Sequence, residues 1–168
     1  IKEVCDDISV ALAYENGVQK VLLNGEDISD KIRQEEVGNM ASATSGYGFV
    51  CAKLLSLQQD MAAQHNVIMD GRDIGTCVLP NAQLKIFLTA SVEVRAKRRY
   101  DELVAKGEQC DLAEIEKDIS ERDYRDMHRE IAPLKAAEDA VMLDSSDLNI
   151  DEVVEAIYEQ AKKAGLDA

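Results

Sequence analysis

Arginine and aspartate carry the densest chemistry in this chain. Asp70-Gly71-Arg72-Asp73-Ile74-Gly75-Thr76 follows the apolar run Val67-Ile68-Met69. In open α/β sheets ligands bind beyond the carboxyl ends of strands, so a site is expected in this loop. Its two glycines would let the backbone bend sharply and approach a ligand. Arg72 can fork onto a phosphate, and Asp70 and Asp73 can accept hydrogen bonds or assist a metal ion. Taken alone, the loop also reads as an ordinary polar turn with an internal Arg–Asp pair. A second group spans Glu121 to Arg129, where Arg122, Arg125 and Arg129 recur at i, i+3 and i+7 and so share one face of a predicted helix. Asp126, four residues after Arg122, is placed to pair with it. A row of guanidiniums suits multi-phosphate recognition, because each is planar, bidentate and always charged. An ion-paired solvent face is the plainer reading. Arg95, Arg98 and Arg99 form a third group, also on one helical side. Two arginine-bearing helices joined at Gly107–Cys110 would make a hairpin able to fold over a phosphate chain. Phosphoryl transfer asks for such an arrangement, since its catalysis is mostly positioning and charge neutralisation.

The elements that must hold these residues begin with strands. Ile8–Tyr14 alternates, Glu15-Asn16-Gly17 is a turn, Val18–Leu23 is a second strand, and Asn24-Gly25 is a strong hairpin signal before a short third strand at Glu26–Ile28. Such close spacing predicts an antiparallel unit. A short helix is expected over Glu35–Met40, then a loop of small residues over Ala41–Gly48, then a helix over Phe49–His65. Beyond it, apolar strands at Val67–Met69, Leu84–Leu88 and Ala140–Leu143 alternate with helices at Val92–Lys106, Asp111–His128 and Asp151–Lys163. That alternation predicts a parallel sheet covered on both faces, an α/β architecture.

Composition narrows the chemistry further. The 168 residues carry 19 basic and 33 acidic side chains, a net charge of −14, which argues against nucleic acid or an anionic membrane as partner. Seven of the eight arginines nevertheless lie between positions 72 and 129. An acidic chain that concentrates arginine in this way is expected to bind a small, highly charged anion. The four cysteines form no CxxC pair, so reduced thiols and a cytoplasmic location are expected. With two histidines, a His-based metal centre is not expected.

Several stretches together resemble bacterial cytidylate kinases in order and spacing. They are Gly71–Thr76, Leu84-Lys85-Ile86-Phe87-Leu88, Arg95 to Arg99, Glu121 to Leu134, and the segment Leu23–Ile28 with Lys31-Ile32-Arg33. The last matches the small β insert of the CMP-specific bacterial branch. The resemblance implies a P-loop NTPase-like, three-layer, doubly wound parallel sheet with a small antiparallel β insert. Residues 1–36 would be that insert and the start of the CMP region, and residues 37–168 the kinase core with a lid hairpin at about 95–125. The implied activity is transfer of the ATP γ-phosphoryl group to CMP or dCMP with Mg²⁺, by a monomeric enzyme.

Carried over by position, the resemblance implies that Ser42 and Asp73 read the cytosine base and that Arg72 and Arg129 hold the CMP phosphate. Asp126 would accept from the ribose hydroxyls, supported by Arg122. Arg72, Asp73, Arg122 and Arg129 are thus the residues expected to carry catalysis. Arg95, Arg98, Arg99 and Arg125 would serve the lid and the ATP phosphates. Asp70 would help hold Mg²⁺ through water.

Two departures qualify the resemblance. Where the family has an arginine near the start of the helix after Ser42, this chain has Cys51, with Phe49 close by. No G-x-x-x-x-G-K-[ST] occurs anywhere in the 168 residues, although that motif supplies the cradle for ATP phosphates. The resemblance places it upstream of position 1, on a first strand between those at Val67–Met69 and Leu84–Leu88. The chain is therefore expected to be a fragment of a longer polypeptide, with little kinase activity by itself, and its two flanking strands must close the gap or receive another chain. A non-catalytic nucleotide-binding module is the alternative. Another P-loop transferase with an arginine lid fits the β insert and the Gly71–Thr76 loop less well.

Overall fold

The computed structural model describes residues 5, 7–44 and 47–166, with the backbone alone at Glu35, Asn39 and Ser42. The chain forms two compact units, Ile1–Ile68 and Met69–Ala168.

The first unit opens on an antiparallel sheet in the order β1 (Val10–Glu15), β2 (Val18–Leu23), β3 (Glu26–Asp27). Glu15 pairs with Val18 and Leu23 with Glu26, so each connection is two residues long. Both turns need two consecutive positive φ angles, and Asn16-Gly17 (53°, 77°) and Asn24-Gly25 (52°, 84°) supply them. Asn-Gly is the pair that such mirror-image turns select, because their twist matches that of the strands. Asn24 also closes the sheet's open end: its Oδ1 accepts from Ser9 N–H and its own N–H donates to the Ser9 carbonyl, both at 2.8 Å. Lys20 ties β2 to the neighbouring acids, 2.8 Å from Asp27 and 3.1 Å from Glu15.

A single 3₁₀ turn, Lys31–Arg33, leads into α1 (Glu35–Thr44) and α2 (Gly48–Gln64). The predicted loop over Ala41–Gly48 is therefore shorter than expected. Its first half continues the helix, since Ala41, Ser42 and Ala43 offer no backbone reason to stop, and the Thr44 hydroxyl bonds back to the Met40 carbonyl at 2.8 Å. Ser45 and Gly46 lie outside the described residues.

The strand predicted at Val67–Met69 does not form. A strand exists only through its ladder, and no described residue pairs with this run; Ile68 is fully exposed. In the second unit, β4 (Ile86–Thr89) and β5 (Val141–Asp144) pair in parallel, from Ile86↔Val141 to Thr89↔Asp144. Between them run α3 (Val92–Ala105) and α4 (Leu112–His128), and α5 (Ile150–Lys163) follows β5.

Each of these helices starts where its cap dictates. Ser91 and Asp111 accept from the N–H groups of Val94 and Glu114, while Asn149 and Glu152 form a reciprocal capping box. Gly107, at φ 80°, closes α3, and the next N–H, of Glu108, returns to the Leu103 carbonyl at 3.0 Å. The architecture is thus α/β, with a parallel and an antiparallel sheet. Both faces of the parallel sheet are only partly covered by the described residues, for Leu88 and Met142 remain exposed.

Candidate functional site

The Gly71–Thr76 loop is a compact structure rather than an open turn. After bends at Gly71–Asp73 it closes into a π-helical turn, Ile74–Val78. The Asp73 carbonyl accepts from Cys77 N–H at 2.8 Å and from the N–H groups of Thr76 and Val78 at 3.3 Å, and Leu79 N–H reaches the Ile74 carbonyl at 2.7 Å. Val78 anchors the turn, buried to 3% exposure. Neither loop glycine has a positive φ. Gly71 is required instead by crowding: a Cβ there would stand 2.9 Å from Ile74 Cγ1. With the backbone so held, no described group engages the Asp73 carboxylate, and Asp70 is exposed at the loop's entrance.

The expected pair Arg122–Asp126 is absent. Asp126, on the last turn of α4, is buried, and its Oδ2 accepts from Arg72 Nε. A long-range partner at a site shielded from water prevails over an exposed i, i+4 pair, which contributes only a few tenths of a kcal/mol. Arg122 is exposed, with no ion-pair partner among the described residues.

The arginine stripe is also shorter than predicted. The helix ends at His128, and Arg129 is its C-cap, extended at φ −69°, ψ 145°. The chain then turns back through Ala132, at φ 49°, so that Leu134 N–H caps the Asp126 carbonyl at 2.8 Å. Arg129 Nε donates to the Ala132 carbonyl at 2.6 Å. Arg72 and Arg129 thus each use Nε on the protein, while their terminal nitrogens meet no acceptor among the described residues. A guanidinium held through Nε keeps its terminal nitrogens to fork onto an anion, and Arg129 follows the buried Asp126 by three residues.

The hairpin arginines divide by role. Arg95 bridges α3 to α4, donating to Asp123 at 2.7 Å and to the Ala90 carbonyl at 2.9 Å. Arg98 donates to the Ser145 and Leu148 carbonyls at 2.6 and 3.1 Å, which anchors α3 to the loop after β5. Both guanidiniums are engaged within the protein. Arg99 pairs with Glu102 at 3.0 Å, and exposed Arg125 lines a shallow concavity of about 370 Å³ with Ser120, Glu121 and Tyr124. Ser42 falls on α1 in the first unit, and its side chain lies outside the described residues. Cys51 lies in the first turn of α2, half-buried.

Sequence reasoning missed Lys85 and Asp139. Lys85 donates to both Asp139 oxygens at 2.8 Å and to the Pro80 carbonyl, and these hydrogen bonds hold the Asp139 carboxyl below the ordinary carboxylate range. The available signal was a lysine inside an apolar strand, which demands a counter-charge. Among the described residues no three His, Cys, Asp or Glu side chains converge as a metal cage. Mg²⁺ commonly uses one or two carboxylates together with phosphates and water, so exposed Asp70 is compatible with a water-mediated role. No described helix is long and apolar enough to cross a membrane, and none of the four cysteines is in a disulfide.

Comparison with known proteins agrees with this arrangement. Residues 2–163 match the family profile described as Cytidylate kinase. Proteins named Cytidylate kinase from Streptococcus pneumoniae strains Hungary19A-6, G54 (serotype 19F) and ATCC 700669 are each 55% identical over 149 residues, covering 89% of this chain and 67% of the relative. The chain therefore belongs to the cytidylate kinase family and is a kinase, a phosphotransferase.

Proposed function

We propose that the chain transfers the γ-phosphoryl group of ATP to CMP or dCMP, on the doubly wound fold of P-loop NTPases. Arg72 and Arg129 grip the acceptor phosphate, Asp73 takes a hydrogen bond from the cytosine amino group, Ser42 is a further base-reading residue, and Asp126 accepts from the ribose. Exposed Arg122 joins the acceptor site once ligand is present. Residues 1–36 are the insert, residues 37–168 the core, and about 95–125 the lid, from which Arg99 and Arg125 reach the ATP phosphates while Arg95 and Arg98 brace the hairpin. Asp70 would hold Mg²⁺ through water, and the ion would supply charge neutralisation for the phosphoryl group in transfer. The enzyme acts as a monomer in the cytoplasm.

The observation that carries this reading is the Arg72–Asp126 ion pair. It brings the Gly71–Thr76 loop to the end of α4, where Arg129 follows three residues later. Catalysis of phosphoryl transfer is mostly positioning and charge neutralisation, so one misplaced phosphate ligand is costly. ATP turnover is expected with CMP and dCMP and to be far weaker with UMP. Arg72→Met is expected to lower kcat/KM for CMP by on the order of 10²–10³-fold, the usual loss for one charge-stabilising donor. Equal use of UMP would overturn the base-reading roles of Ser42 and Asp73.

A further inference from the structure

Lys85 lies between Leu84 and Ile86 at the start of β4, and its side chain is only 7% exposed. An ammonium withdrawn from water needs partners for its three donors. Three oxygens meet it: the Pro80 carbonyl and the two carboxylate oxygens of Asp139. The aliphatic stem is engaged as well. It covers Gly75, where a Cβ would stand 3.4 Å from Lys85 Cδ and 3.7 Å from Cγ.

One side chain thus touches the turn that carries Arg72 and Asp73, the segment at Pro80, and the connection that runs from Arg129 into β5. That connection starts at the other half of the site, because Leu134 N–H caps the Asp126 carbonyl at 2.8 Å. In the ligand-free protein the Arg72–Asp126 pair also joins the two halves. A phosphate on the terminal nitrogens of Arg72 shares that guanidinium with Asp126, whereas the Lys85–Asp139 tie holds the two halves through groups that meet no ligand.

We propose that Lys85 is a positioning residue for the acceptor nucleotide, fixing the separation between the Arg72–Asp73 arm and the Asp126–Arg129 arm through Gly75 on one side and Asp139 on the other. It touches no reacting atom. The inference rests on the acceptor-site reading given above.

Lys85→Met keeps the stem over Gly75 and removes the ammonium. Asp139→Asn keeps an acceptor oxygen for Lys85 and removes the counter-charge at a side chain that is 66% exposed, so its thermal midpoint is followed beside its CMP constants. Steady-state kinetics on the protein, with calorimetric titration of CMP, is expected to show KM and Kd for CMP rising roughly tenfold in Lys85→Met, as small misplacements of binding groups do. A rise of several-fold is expected in Asp139→Asn, with KM for ATP unchanged. CMP constants within about twofold of the parent in Asp139→Asn, or CMP and ATP constants rising together in step with lost stability, would overturn the role. If Lys85→Met does not fold, Asp139→Asn alone decides. A parent protein that neither binds nor phosphorylates CMP would instead overturn the acceptor reading itself.

Discussion

At the scale of single residues, the proposed acceptor site is built from contacts that replace local pairings with distant ones. Asp126 has an arginine four residues away on its own helix, yet its partner is Arg72, 54 residues distant in sequence. Removing Arg72 leaves a mostly buried carboxylate unpaired. A fully buried pair broken in this way costs 3–5 kcal/mol. Arg72 is 41% exposed, so a smaller loss, about 1–2 kcal/mol, is expected for Arg72→Met in urea denaturation. Asp126→Asn in the same background should recover most of it, because the charge that needed a partner is gone.

Gly71 makes a second case. Gly71→Ala forces a methyl into Ile74 Cγ1 and is expected to cost about 1–3 kcal/mol and weaken CMP binding, with Ile74→Ala restoring both. Denaturation midpoints and CMP titrations on the single and double variants check this. The residue types of the site were legible in the sequence, since Arg72, Asp73, Asp126 and Arg129 each stand in a recognisable run. Their partners were not. An i, i+4 pair can be counted from sequence, whereas Arg72–Asp126 and Lys85–Asp139 depend on which distant segments the fold brings together.

At the scale of elements, local chemistry decided what could be read. Both Asn-Gly turns and the three helices of the second unit fall within a residue or two of their predicted limits, because caps and positive-φ turns act over four or five residues. Val67–Met69 failed for the opposite reason, since a strand depends on a neighbour the run does not itself contain. The predicted end of α4 at His128 also holds, with Leu134 N–H returning to the Asp126 carbonyl, and only Arg129 of the arginine series falls beyond it.

The antiparallel sheet has a pH response that follows from its own contacts. Lys20, then the Ser29 hydroxyl at 2.6 Å and the Ser29 N–H at 3.0 Å, hold the Asp27 carboxyl far below its ordinary value. A carboxylate with a depressed folded pKa stabilises fully above its unfolded pKa of about 4, and loses that contribution as pH falls below it. Amide exchange in β2 and β3 is therefore expected to accelerate between about pH 4 and pH 2 more steeply in the parent than in Asp27→Asn. In the second unit, Asn149→Ala removes the side-chain acceptor for Glu152 N–H, keeps the backbone N–H that donates to Glu152, and should cost about 1 kcal/mol, read as a lower thermal midpoint.

At the scale of the whole molecule, the described residues bury little apolar bulk. The buried hydrophobic residues are Cys5, Val78, Ala90 and Ala96, no large side chain is fully enclosed, and Ile68, Leu88, Met142 and Ile150 face solvent. Hydrophobic burial is the dominant favourable term in folding, so these 168 residues by themselves are expected to unfold over a broad temperature range and to bind a hydrophobic dye before doing so. A sharp transition without dye binding would show that other contacts compensate.

The sparse core has a further consequence, for the protein's lifetime in the cell. Where packing contributes little, a bound ligand supplies a larger share of the folded state's margin: saturation at a hundred times Kd adds about 2.7 kcal/mol. That is comparable to the effect of a damaging or rescuing mutation on abundance. On the proposed assignment, CMP would then be chaperone as well as substrate. Depletion of the cytidylate pool would lower the amount of enzyme present, and replenishment would restore it, without any change in synthesis.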